Sequence, residues 1–206
     1  MATEIQDGAG TGYRAKVDSD LRLHVNSVTR TEAEQASLLG VGYNVSTGIV
    51  TLTSGNTSCV AYMKYKGVDP FVISEIVVIP SDSTSGVGNA SIQIKRNPTT
   101  GTIIDNAVDF SSIQNRDFSS SNDISNDADI FKGVEGDTLT DGGSFAFTTR
   151  DNFSEPITFD AGNIVLRKGN SIGVCITPPS SNTSQTWVVA IIGYVETATV
   201  SGDLNK

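Results

Sequence analysis

One histidine, His24, stands in the whole chain. Any site that needs more than one imidazole, whether a paired acid and base or a multi-histidine metal centre, is therefore excluded within one subunit. His24 lies between Leu23 and Val25 in an alternating run and reads as an exposed strand residue. No G-x-S-x-G elbow, P-loop or dinucleotide fingerprint occurs. The run Ser85-Gly-Val-Gly88 has the glycines of a phosphate loop but neither the following lysine nor a helix, so it is taken as a loop. Asp123, Asp127, Asp129, Glu135, Asp137 and Asp141 could offer hard oxygens to calcium, which takes roughly six to eight of them. Their spacing matches no EF-hand, and a solvated loop is the simpler reading. Carboxylate pairs for glycoside hydrolysis are defined only by a separation in space, and no local motif singles one out. The expectation is a protein without catalytic residues, cofactor or metal.

Cys59 and Cys175 sit in the apolar runs SCVAYM and IGVCIT. Cysteines so placed are expected as small buried hydrophobes rather than as a disulfide. Five N-x-[ST] sequons, at Asn44, Asn56, Asn89, Asn152 and Asn182, are what a chain with 24 Ser and 22 Thr produces by chance.

The net charge of −9 repels phosphate backbones, because nucleic-acid binding draws on Lys and Arg that release counterions. No stretch approaches the roughly 20 apolar residues of a membrane-spanning helix, and the first residues show no basic-then-apolar leader. Synthesis in the cytoplasm and partners that are neither nucleic acid nor membrane are expected. Residues 1–20 hold few large apolar groups and are read as an N-terminal arm that is ordered only where it docks. Within it Tyr13 could fill a partner's pocket, Arg14 and Lys16 could pair with carboxylates, and Val17 adds an apolar anchor.

The elements that would position such groups are mostly strands. Twenty glycines and only 18% charged residues describe short strands joined by tight turns. Leu21, Leu23 and Val25 alternate with polar residues as a first strand. Thr31-Glu-Ala-Glu34 has the form of a capping box, and Gly40 can close the short helix it begins. Strands are then expected at 49–53, 58–65, 70–79, 91–95, 144–150, 163–167, 171–177 and 187–194, with a bulge near Ser74 and Glu75. The runs FVISEIVVI and WVVAIIGY are apolar on both faces and ask for cover on each side, which a second subunit could supply. The polar stretch 111–143 is expected as a surface loop whose Phe118 and Phe131 could form a recognition surface. The fold class is all-β: an antiparallel β-sandwich, of jelly-roll type, with one short helix. Its domains are the arm 1–20, a single sandwich 21–198 with the polar insertion at about 111–143, and a tail 199–206.

Four stretches carry a resemblance: AKVDSDLRLHV at 15–25, TEAEQASLLG at 31–40, NPTTGTIIDNA at 97–107 and LRKGNSIGVCITPPSSNTS at 166–184. Together they resemble virion structural proteins of tailed bacteriophages. That resemblance implies a jelly-roll subunit that decorates or cements the head by tying neighbouring major capsid proteins together. It also implies a location in the virion, while the strands apolar on both faces, which closed symmetry would cover, point to a homo-oligomer, a trimer. A tail, fibre or collar component, or a receptor- or glycan-binding module of the particle, is the alternative.

Overall fold

The computed structural model describes residues 31–53, 55–80, 89–110, 112–151, 155–179 and 184–197, and the backbone of three short strands nearer the N-terminus. The chain separates into two units, 1–31 and 32–206. In the first, β1 (Ile5–Gln6), β2 (Arg14–Val17) and β3 (Leu23–His24) form a small antiparallel sheet in the order β1-β2-β3, with Ile5 opposite Ala15 and Lys16 opposite His24.

The second unit opens with α1 (Glu32–Leu38). Gly40 ends it in the left-handed conformation, φ 66°, while the Val41 N–H donates to the Ala36 carbonyl at 2.9 Å. Only glycine takes that φ without strain, and here a Cβ would also strike the Ser120 side chain. Eleven strands follow: β4 (Gly42–Ser46), β5 (Val50–Leu52), β6 (Ser58–Tyr65), β7 (Phe71–Pro80), β8 (Asn89–Arg96), β9 (Ser112–Asn115), β10 (Ala128–Lys132), β11 (Gly143–Asp151), β12 (Ile157–Leu166), β13 (Ser171–Thr177) and β14 (Gln185–Val195). A short helix α2 (Thr102–Asp105) and a 3-10 turn at Ile124–Asn126 lie between β8 and β10.

All pairings are antiparallel, in two sheets ordered β12-β7-β14-β4-β9 and β10-β6-β13-β8-β11. β5 continues the line of β4 along β14. Setting aside β5, β9 and β10 and counting the rest along the chain, one sheet runs first, eighth, third, sixth and the other second, seventh, fourth, fifth. That order is the double Greek key of a jelly roll, so the all-β sandwich expected from composition and periodicity is the fold observed.

Period-two alternation sets the core. On β8, Ala90, Ile92 and Ile94 are buried while Ser91, Gln93 and Lys95 face outward. On β14, Trp187, Val189 and Ile191 point inward to meet Ile76 and Val78 of β7 and the β8 isoleucines in one cluster. The outer residues of β14 are only half-buried, except that Tyr194 packs with Val72 under Ala36 of α1. Part of the second cover expected from another subunit is thus supplied by the chain's own helix. The bulge falls on Ser74. Both neighbours of β7 pair with Glu75 and then with Ile73, skipping Ser74, whose hydroxyl donates to the Ile192 carbonyl at 3.1 Å.

Two expectations need correction. The 111–143 stretch carries β9 and β10, which add an edge strand to each sheet, and it buries Ile124, Ile130 and Leu139. Its few apolar residues are spaced to face inward singly, which leaves no hydrophobic run to read. The cysteines form a disulfide: Cys59 on β6 and Cys175 on β13 are directly paired neighbours with Cα atoms 3.8 Å apart. Each run does look like a buried strand, and each is one; what was hidden is the register that sets two residues 116 positions apart side by side.

Candidate functional site

Five of the six carboxylates of the acidic stretch accept hydrogen bonds or pair with a cation. Asp123 accepts from the Ser125 N–H at 2.9 Å and caps the 3-10 turn. Asp129 pairs with Lys66 at 2.7 Å on the surface, a contact worth little in water. Glu135 accepts from both the N–H and the hydroxyl of Thr53. Asp137, mostly buried, accepts from the Thr102 hydroxyl at 2.9 Å and the Val134 N–H at 2.8 Å, and Asp141 accepts from Thr99 and Thr100. Most of these bonds fasten the insertion to the segments around Thr53, Lys66 and Thr99–Thr102. Among the described residues no three His, Cys, Asp or Glu side chains gather as a cation site would require.

The titrating groups that stand out are tyrosines. Burial pushes the Tyr65 phenol up to about 12, with Asp127 and Asp69 adding to the effect. Tyr194 is raised further by burial and by Glu32, whose carboxylate accepts its hydroxyl proton at 2.7 Å. Both are core phenols that tie elements together, and neither sits beside a nucleophile.

Two surface features remain. The first is the turn after β9. Asp117 donates its N–H to the Asn115 side-chain oxygen at 2.9 Å and its carboxylate accepts from the Ser119 N–H and hydroxyl at 2.9 and 2.7 Å. Ser120 closes the turn onto the Asp117 carbonyl at 3.0 Å. Asn115 and Asn122 each donate to the Gly40 carbonyl, at 2.8 and 2.9 Å, and so fasten the turn to the end of α1. The bonds from Ser119 hold the Asp117 carboxyl below the usual carboxylate range. At the apex Phe118 is 97% exposed. The second feature is a cleft of about 410 Å³ between β8 and β11 of one sheet and β12 of the other. Phe145, Ile164, Leu166 and Ile172 line it with Arg96 and Asn170.

Of the residues expected to dock partners, Arg14, Lys16 and Val17 lie on β2, the middle strand of the small N-terminal sheet, and Tyr13 falls outside the described residues, as does Ser85-Gly-Val-Gly88. Of the two insertion phenylalanines, Phe118 is free, whereas Phe131 stacks on Tyr62 with centroids 6.0 Å apart and planes at 15°. Trp187 is wholly buried. The cleft had no sequence signal, because β8 and β12 contribute to it from far apart in the chain.

No family model matches the chain, and no curated protein matches it. Solved structures with some likeness include that of Broad Bean Stain Virus, 10% identical with a TM-score of 0.24 over 84% of this chain and 96% of that one. Another is that of Mud Crab Dicistrovirus, 14% identical with a TM-score of 0.26 over 95% of this chain and 91% of that one. Superpositions this loose say nothing about function, and the jelly-roll assignment stands on the strand order alone.

Proposed function

We propose that this protein is a non-enzymatic structural subunit of a virus particle, one that decorates or cements a tailed-phage capsid by bridging neighbouring capsid subunits. The observation that carries the reading is the double Greek key itself, an architecture used for capsid and lectin domains. Fold alone does not imply function, and the resemblance of four stretches to phage virion proteins supplies the other support. Two of those stretches meet in space: Asn97 accepts from the Ser171 N–H at 2.9 Å, and the Ser171 hydroxyl donates to the Pro98 carbonyl at 2.8 Å.

Such a subunit works by avidity. Each contact is modest, but a lattice holds its neighbours at high effective concentration and the contacts sum. The subunit acts as a homo-oligomer, a trimer, and the N-terminal segment with Tyr13, Arg14, Lys16 and Val17 serves as the anchor to the major capsid protein. Quantitative mass spectrometry of purified particles tests the reading. Hundreds of copies per particle are expected; a dozen or fewer would indicate a tail, fibre or collar part, and absence from the particle would refute a virion role.

A further inference from the structure

The two ends of the β12-β7-β14-β4-β9 sheet differ in shape and charge. At the β9 end, Phe118 is 97% exposed on a turn held by side-chain bonds from Asn115, Ser119 and Asn122. Single exposed apolar residues are ordinary on protein surfaces. A phenyl ring at the apex of so bonded a turn is different, because the cost of ordering the backbone that presents it has already been met within the fold, and aromatics are the usual anchors of interfaces. At the β12 end lies the cleft, with Phe145 53% and Val165 42% exposed at its mouth. Arg96 stands exposed on its lining and forms no ion pair with any described residue.

We propose that Phe118 of one copy seats in the cleft between β8, β11 and β12 of the next, with the neighbouring Asp117 carboxylate meeting Arg96. This inference rests on the assembly reading above and names the contact that would build the assembly. Three observations carry it. The cleft lining is mixed, with Phe145, Ile164, Val165, Leu166 and Ile172 to receive a ring and polar side chains at 95–97, 170 and 171 beside them, and its volume of about 410 Å³ falls in the range of ligand pockets, roughly 300–1,000 Å³. The charges match, a carboxylate beside the ring and a guanidinium at the cleft, which suits the planar two-point pairing of arginine with carboxylate. Finally, knob and cleft lie on opposite edges of one sheet, separated by four inter-strand steps or about 19 Å, so a subunit cannot fill its own cleft. Each copy thus donates at one edge and accepts at the other, and the contact is heterologous where successive copies follow one another in one direction. Such a contact closes into a ring, a trimer if each step turns by a third of a circle, or runs on as a row in a lattice.

Single-cysteine additions test this in the intact protein. Phe118→Cys and Val165→Cys, mixed and oxidised, should cross-link to each other, while neither variant alone should cross-link to itself. In sedimentation, Phe118→Ala and Asp117→Arg should each weaken self-association by at least about tenfold, as loss of an interface anchor does. The exchange Asp117→Arg with Arg96→Asp should recover most of that loss. Cross-linking of Phe118→Cys with itself, self-association unchanged in Phe118→Ala, or a parent protein that stays monomeric at high concentration would each overturn the proposal. Copy number in particles is read separately, so a particle-bound Phe118→Ala that assembles normally would sink this contact and leave the virion role standing.

Discussion

Replacing Cys59 and Cys175 together by alanine removes the covalent tie between β6 and β13, strands that are neighbours in the sheet but joined at residues 116 apart in sequence. In the unfolded chain the bridge closes a loop of that length, and loop-closure entropy sets its contribution at about 4.8 kcal/mol. The folded side adds a smaller loss. The two sulfurs pack with Tyr62, Ile103 and Leu139 on the outer face of the sheet, and the space they vacate costs roughly 1 kcal/mol. For a chain of this size a loss of about 6 kcal/mol lowers the thermal midpoint by about 12–24 °C. Urea unfolding of the oxidised parent and the double variant measures the difference directly. The slope of the transition should also steepen in the variant, because an unfolded chain without the cross-link exposes more surface. The reasoning is refuted if the denatured, unreduced parent shows two reactive thiols, or if the variant lies within about 1 kcal/mol of the parent, the size of an ordinary substitution.

Deleting residues 1–20 should leave the 32–206 unit folded with an unchanged thermal midpoint and release the protein from particles, as read by co-sedimentation; retained binding would move the anchor into the sandwich. Gly101→Ala should cost about 1–3 kcal/mol, because φ there is 144° and a Cβ would strike the Thr138 carbonyl; urea unfolding reads the loss. Alkaline pH should destabilise the fold. Tyr65 titrates near 12 when folded against an ordinary value of 10.0, so the unfolded state loses its proton first. The contribution is complete below pH 10 and disappears as pH rises toward 12, with Tyr194, raised by burial and Glu32, extending the trend. Thermal melts across that window, with tyrosinate absorbance as the second readout, should show stability falling before the phenols of the folded protein ionise; stability flat to pH 12 would refute it.

Much of the sandwich could be read directly from residue order. SIQIK shows its two faces in the sequence, and β8 buries Ile92 and Ile94 while Ser91, Gln93 and Lys95 are only half-buried. Ser74 and Glu75 break an apolar run, and the bulge falls on Ser74. Gly40 after a seven-residue helix marks its end in the left-handed conformation. These are local consequences of period, φ and side-chain size, so a single strand or turn carries the whole signal. The insertion was less legible, since β9 and β10 owe their strand form to pairing with β4 and β6 rather than to their own apolar pattern.

The residues that matter for contact belong to the tertiary structure. Phe118 is one of eight phenylalanines in the sequence, and nothing local distinguishes it from Phe131. One ends up on a turn fastened to Gly40, the other stacked on Tyr62. The cleft exists because β8 and β12 face each other across the sandwich, and the disulfide because β6 and β13 pair in one register out of many. Alternation along a strand states which face is buried, but it holds no record of which distant strand lies alongside. That choice is made by the packing of the whole core: alternation and turn residues set the class of fold, and long-range packing sets which side chains meet.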